Sequence, residues 1–378
     1  MQIDKKIINS SRIKYVLTSS KSYLHRFIIL AFLTPGDTII KNVNLCDDVT
    51  CTLNALYKSY KLKGKDLFLY DKDKCFKKEI NVGESGSTFR FLIPLAMDGE
   101  KRTFITSGKL IDRPLEYYKQ IADENGICFT VDRNTLTVEG RLKENVYFVD
   151  SQKTSQYISG MLFASLGRFT VNYNLEKSAQ YIDITLDALN RYGYKKRDGI
   201  YYLDNPKNKN IVYVPSDASN DAFYYVLKSL GCLEKIKSLR YGSQRDNIIL
   251  KWINAGFNSV DLKNNIDISP VLSSFFAVKN KKSTLKGIEN LVYKESNRQV
   301  EILRVLKKFN INFKLDGNKL IIGNIKSNNK PLYLNVNDHR ICQMAIILAM
   351  ITKRKLYLKG ISSLKKSDIN MYNNIRSL

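Results

Sequence analysis

The chain groups charged and small polar residues immediately before apolar runs, where burying a charge is costly unless a partner or ligand answers it. Ser20-Lys21-Ser22, with Arg26 one turn later, sets a hydroxyl, an ammonium and a guanidinium on one helix face, a grip for phosphate or carboxylate. An ordinary capped helix with exposed cations has the same pattern. Gly83-Glu84-Ser85-Gly86-Ser87-Thr88, followed by Arg90, reads as a glycine-spaced loop entering a helix, whose backbone N–H groups can approach an anion; a plain tight turn reads alike. It is neither a Walker A loop nor a dinucleotide fingerprint. Arg113-Pro114 places proline in the first turn of a helix. Thr154-Ser155-Gln156 and Ser178 with Tyr181 bring hydroxyls and an amide to two further starts. Asp217 and Asp267 are acids beside helix starts, with capping as their plainest role. Lys294-Glu295-Ser296-Asn297-Arg298 packs bases and an acid into one turn, Asp338-His339-Arg340 opens a strongly apolar helix, and Lys366 lies in the last segment.

These groups recur at corresponding points of a repeat. Helical runs begin near Ser22, Ser87, Ser155, Ser219, Ser269 and Asp338, at intervals of roughly 50 to 70 residues. More amphipathic helices follow at Asp48–Tyr60, Arg113–Gly126, Tyr181–Gly193, Arg245–Asn258, Asn297–Asn310 and, degenerately, from Ser367. Alternating stretches such as Thr103–Thr106, Thr135–Glu139, Ile211–Val214, Leu320–Ile322 and Lys355–Leu358 read as strands. The pattern predicts six α/β units, each with a helix apolar nearly all round, hence buried under a sheet. The natural division falls near Val214–Asp217. Several buried helix starts at one locus make a strong anion site, and the polar groups together read as two opposed anion-binding surfaces.

Composition bounds the rest. The 378 residues, 44% hydrophobic, are enough for two or three average domains, or one large one, with a substantial core. The 61 Lys and Arg against 36 Asp and Glu give +25, which admits nucleic acid, anionic membrane or acidic small substrates as partners. Dispersed basic residues without an RNA-binding motif argue against nucleic acid, and most of the excess reads as compositional background. Six cysteines without a Cys-x-x-Cys pair and two histidines argue against a Cys/His zinc site. No run reaches the length of a membrane-spanning helix, and scattered thiols suit a reducing compartment, so a cytoplasmic protein is expected.

The ordered set SSKSxxxR, GESGSTFR, RP, TSQ, SxxYID, DAS, KES-R, DHR and a closing KKS resembles the 5-enolpyruvylshikimate-3-phosphate synthase family from about residue 18 to 370. The resemblance implies an α/β, two-domain enolpyruvyl transferase fold of six repeated units, an inside-out barrel with buried helices and sheets outside. Residues 18–215 would form the first domain, 1–17 and 216–378 the second, with the active site in the cleft between them. It implies enolpyruvyl transfer from phosphoenolpyruvate to the 5-hydroxyl of shikimate 3-phosphate, with no cofactor or metal and a monomeric state. Carried over by motif, Lys21, Ser22, Arg26, Thr154, Ser155, Gln156, Ser178, Tyr181, Asp267, Asn290 and Lys294 would hold shikimate 3-phosphate. Lys21, Gly86, Arg90, Arg113, Gln156, Arg298, His339, Arg340 and Lys366 would hold phosphoenolpyruvate. Glu295 would protonate the enol methylene, Asp267 would act as base at the 5-hydroxyl, and Lys21 would assist.

The chain departs from the family pattern in places. Glu84 stands where Asn is frequent, Thr18-Ser19 replaces Pro-Gly, Phe91 replaces Pro, Asn297 replaces Asp, and Cys342-Gln343 replaces Ala-Met. The related transferase acting on UDP-N-acetylglucosamine is disfavoured, because Ser22 rather than Asn follows Lys21 and no cysteine lies between Cys75 and Cys128.

Overall fold

The structure, a computed structural model, describes residues 13–16, 18–150, 153–174, 179–233, 235–236, 240–279, 282–326 and 330–376, and the backbone of 5–8. The chain divides into two compact units, Ser19–Pro215 and Met1–Thr18 with Ser216–Leu378. Each has its own apolar core.

In the unit Ser19–Pro215 the helices are α1 (Lys21–Leu33), α2 (Asp47–Leu56), α3 (Gly86–Ala96), α4 (Glu116–Asn125), α5 (Gln156–Ala164) and α6 (Ala179–Arg191). The other unit contributes α7 (Ala218–Ser229), α8 (Ile248–Asn254), α9 (Ser269–Lys279), α10 (Arg298–Lys308), α11 (His339–Thr352) and α12 (Ile369–Arg376). The apolar runs of α1, α3, α5, α7, α9 and α11 are buried on all sides, as in α5, where every residue from Tyr157 to Ala164 is enclosed. The intervening helices are amphipathic: α10 buries Arg298, Ile302, Val305 and Leu306 on one stripe and leaves Val300 exposed.

Three four-stranded sheets share one pairing scheme. In each, a parallel pair (Lys209–Tyr213 with Asp37–Lys41, Glu79–Gly83 with Arg102–Thr106, Ser259–Asp261 with Lys282–Lys286) continues through two antiparallel strands. Burial alternates along the strands of the parallel pairs, as in Lys209–Tyr213, which hides Asn210 and Val212 and exposes Ile211 and Tyr213. The N-terminal strand Lys5–Ile8 pairs antiparallel with Leu356–Lys359, which also pairs parallel with Leu332–Asn335. Among the described residues no helix is long and apolar enough to cross a membrane.

Helix starts differ in detail from the sequence reading. Ser20, Ser85 and Asp217 cap α1, α3 and α7, accepting from the backbone N–H of Tyr23, Thr88 and Asn220, so these helices begin earlier than Ser22, Ser87 and Ser219. A capping oxygen must stand outside the first turn to reach the amide two or three residues on, which selects the upstream oxygen. Pro114 lies outside α4, which starts at Glu116 after Leu115. Its carbonyl accepts from Arg90 Nε at 3.4 Å instead of opening a helix.

The core beside α7 encloses two acids, Asp221 and Asp368. Burial, then the neighbouring Asp217, pushes the Asp221 carboxyl up to about 8, with Tyr241 Oη donating to it at 3.2 Å. Burial raises Asp368 to about 6 against the N–H groups of Met371 and Asn370 that it caps. Groups whose folded pKa is raised favour the native state most at low pH, and this contribution is lost as pH rises through the folded value. Asp221→Asn, which mimics the protonated acid, is therefore expected to gain stability over the unsubstituted protein as pH goes from about 4 to about 8. Urea unfolding at a series of pH values checks this; a constant difference would contradict it.

Candidate active site

In the unit Ser19–Pro215, Lys21 is the first residue of α1, and its ammonium pairs with Asp48 in the first turn of α2 at 2.8 Å. Ser22 is half-buried beside it. Arg26, one turn on, is enclosed: Nε donates to Thr185 Oγ1 (2.7 Å), Nη1 to the Ser22 carbonyl (2.7 Å), and Nη2 to the Tyr181 carbonyl (2.9 Å) and Ser159 Oγ (3.2 Å). Its guanidinium also lies 4.8 Å from the Phe91 ring centroid. Burial brings its pKa down to about 10. A guanidinium has five N–H donors, and most of those of Arg26 serve to tie α1 to α5 and α6.

The second cationic group gathers where α3 and α5 start. A Cβ added to Gly86 would lie 2.7 Å from Arg113 Nη1 and 3.5 Å from Arg90 Nη1, so the absence of a side chain is what lets the Arg113 guanidinium lie over this helix start, with Arg90 beside it. Arg90 Nη1 donates to Gln156 Oε1 (2.7 Å), Gln156 Nε2 to Ser87 Oγ (3.0 Å), and the Gln156 N–H to Thr154 Oγ1 (3.3 Å). Ser155 occupies the cap position of α5 without a side-chain capping bond. The Arg90 backbone is itself braced. Pro94 inside α3 has no N–H for the Arg90 carbonyl, and Tyr118 Oη donates to that carbonyl at 2.6 Å in its stead. Gly160 gives the room, since a Cβ there would lie 2.6 Å from Tyr118 Oη and 2.7 Å from the Arg90 oxygen. Glu84 turns its carboxylate against Gly108, where an added Cβ would meet Oε1 at 2.2 Å. Ser178 lies outside the described residues; Tyr181 sits in the first turn of α6.

In the other unit the candidate residues converge on Arg298, whose side chain is 1% exposed. Nε donates to Asp338 Oδ2 (2.8 Å), Nη2 to Glu295 Oε2 (2.5 Å), and Nη1 to Asp267 Oδ1. Lys294 Nζ joins Asp267 at 3.1 Å. Burial would lower the pKa of Arg298, but Asp338, Glu295 and Asp267 together hold it well above its ordinary value. For Asp338 burial works upward, and the adjacent guanidinium overrides it and keeps the carboxyl below the usual range. Asp338 also caps α11 through the Arg340 N–H (2.8 Å) and accepts from Ser296 Oγ (3.0 Å). Arg340 Nη1 donates to the Ser219 carbonyl (2.6 Å) and to Gln343 Oε1 (3.2 Å), so one of the departing residues braces a candidate ligand. Asn297, another departure, caps α10 by accepting from the Val300 N–H. His339 Nδ1 stands 3.8 Å from Asp338 Oδ1, beyond hydrogen-bond reach. Asn290 lies in the 3-10 turn Glu289–Tyr293, and Lys366 ends the turn Ile361–Lys366.

Sequence reasoning passed over Asp48, Tyr118 and Thr185 as contributors, and named Asp338 and Gln343 without the bonds they make to Arg298 and Arg340. Asp48 carried a signal, an acid at a helix start; Tyr118 and Thr185 act from elements distant in sequence. Among the described residues no group of three or more His, Cys, Asp or Glu is placed to hold a metal ion.

Comparison with known proteins bears on this arrangement. The sequence model of the EPSP synthase (3-phosphoshikimate 1-carboxyvinyltransferase) family matches residues 10–237 and 226–371. The chain belongs to this family. It is thereby a carboxyvinyltransferase of the shikimate pathway. It is 29% identical to the 3-phosphoshikimate 1-carboxyvinyltransferase of Clostridium perfringens, over 99% of this chain and 98% of that one. The Clostridium kluyveri enzyme of the same name is 31% identical, over 95% and 93%. Among solved structures, EPSP synthase from Acinetobacter baumannii superposes with a TM-score of 0.70 at 19% identity, covering 99% of this chain and 97% of that one. The enolpyruvyl transferase NikO from Streptomyces tendae gives 0.73 at 11% identity, with the same coverage. These last two establish the α/β fold alone.

Two expectations follow. Gly86→Ala pushes against the mobile end of Arg113 and not against backbone, so thermal stability should hardly change while the Michaelis constant for the anionic donor rises; melting curves and steady-state kinetics separate the two. Asp338→Ala leaves the enclosed Arg298 short of one carboxylate, and urea unfolding should show a loss of about 3–5 kcal/mol.

Proposed function

We propose that the chain transfers the enolpyruvyl group of phosphoenolpyruvate to the 5-hydroxyl of shikimate 3-phosphate by addition and elimination, releasing phosphate. The observation that carries this reading is the single guanidinium of Arg298, which holds both Asp267 and Glu295, a pair of carboxylates suited to moving two protons. In this reading Asp267 takes the proton of the attacking hydroxyl and Glu295 delivers one to the enol methylene, leaving a cation at the adjacent carbon for the oxygen to capture. Loss of a proton from the resulting tetrahedral ketal and departure of phosphate complete the transfer.

Lys21, Gly86, Arg90, Arg113 and Gln156 supply cations and helix-start N–H groups for the anions of the donor, joined by Arg298, His339, Arg340 and Lys366. Ser22, Arg26, Thr154, Ser155, Ser178, Tyr181, Asn290 and Lys294, together with Lys21, Gln156 and Asp267, are assigned to shikimate 3-phosphate. Preorganised cations stabilise developing charge without reorganising during reaction. We read the fold as six repeated units; the shared pairing scheme of three sheets and the run of enclosed helices support this.

Purified protein is expected to release phosphate when both substrates are present, and neither with one alone nor with UDP-N-acetylglucosamine as acceptor. Glu295→Gln should reduce kcat by about 10²-fold or more. Release from phosphoenolpyruvate alone, or an unaltered kcat in this variant, would refute the assignment.

A further inference from the structure

Between α1, α2 and α3 runs a chain of buried polar contacts that the transfer chemistry does not use. His25 Nδ1 lies 2.7 Å from Thr52 Oγ1, Thr52 Oγ1 lies 2.7 Å from Thr88 Oγ1, and Thr88 Oγ1 lies 2.7 Å from Ser85 Oγ and 3.1 Å from the Asp48 carbonyl. His25, Thr52, Thr88 and Ser85 are completely enclosed. The direction of each bond follows from counting protons. A carbonyl only accepts, so the single proton of Thr88 goes to Asp48. Thr88 Oγ1 then accepts from both Thr52 and Ser85. Having donated its proton to Thr88, Thr52 accepts from His25, which must carry its proton on Nδ1. Nε2 is left as a bare lone pair, and among the described residues it has no hydrogen-bond partner.

The terminus of this chain matters, because Asp48 is the partner of the Lys21 ammonium. We propose that His25, held as the Nδ1-protonated neutral tautomer, is a positioning residue that acts through Thr52 and Thr88 to fix the start of α2, and with it Asp48 and the Lys21 ammonium. The charged groups acting on His25 have the same sign. Burial first, then Lys21 and Arg26 on its own helix, push its pKa well below that of free histidine, while α2 and α3 present the hydroxyls of Thr52 and Thr88 to the chain. A second proton on Nε2 would add a third positive charge with no acceptor. The imidazole thus joins three helices without adding to the field that Lys21 presents to an anion.

The kinetic part of this inference rests on the proposed enolpyruvyl transfer; the tautomer does not. The whole chain labelled with ¹⁵N-histidine has two side chains to resolve, His25 and His339, assigned with His25→Gln. The His25 ring is expected to show a protonated Nδ1 and an unprotonated Nε2, unchanged from pH 8 to pH 5.5, across the range where a free imidazole titrates at about 6.5. A proton on Nε2, or titration near that value, overturns the proposal even if no enzymatic activity is found. In the kinetic arm, Thr52→Val keeps shape and cuts the chain; the Michaelis constant for phosphoenolpyruvate should rise about fivefold, the effect of one hydrogen bond, with a smaller change in kcat. Thr52→Ser should restore it. A change in melting temperature alone, with the Michaelis constant unaltered, would make the network merely structural and overturn the positioning role.

Discussion

One guanidinium holds together the start of several elements in the unit that carries α7 to α12. Arg298 joins the turn bearing Asp267, its own helix start at Glu295 and the cap of α11 at Asp338. Its enclosure is tolerable only because three carboxylates answer it, and each of those carboxylates is in turn fixed by the same cation. The geometry of Lys294, Ser296 and Arg340 follows, since each bonds to one of these acids directly or through the backbone. Such a knot is intolerant of piecemeal change: removing any one acid leaves charge uncompensated where water does not reach.

The unit Ser19–Pro215 solves the same problem of buried helix starts by different means. Hydroxyls and a neutral imidazole link α1, α2 and α3, while the charges that remain are kept at the margin, Lys21 against Asp48 and Arg113 over Gly86. Arg26 and Arg90 are buried instead; the charge of Arg26 is wholly enclosed, with its donors directed to carbonyls and hydroxyls. Neutral acceptors offset less of its desolvation than carboxylates would, which is why its pKa falls where that of Arg298 rises.

The polar groups at helix starts were legible because periodicity marks where an apolar run begins and the preceding residues name the cap. That reasoning found Ser20, Asp217 and Asp338 within two residues of where they act. It erred at Pro114, because one proline beside an arginine does not reveal that the following Leu115 is still outside the helix. It placed Arg26 beside Lys21 and Ser22 on α1 but gave no sign of the Thr185 and Tyr181 oxygens that accept from it, which come from α6, far along the chain. Tyr118 as substitute donor for the carbonyl that Pro94 leaves behind was illegible for the same reason. Tertiary proximity decides these contacts, and local pattern has no access to it.

The chain enters and leaves the unit Ser19–Pro215 once, so that unit is contiguous, whereas the other is built from both ends, with Lys5–Ile8 paired to Leu356–Lys359. During vectorial synthesis, at about 5–20 residues per second, the contiguous unit is complete as soon as Pro215 has emerged. Lys5–Ile8 must meanwhile wait for Leu356–Lys359, the strand it pairs with. Order of synthesis thus sets order of assembly: the hydroxyl-linked unit closes on its own, and the Arg298 knot can be tied only when almost the whole chain is present.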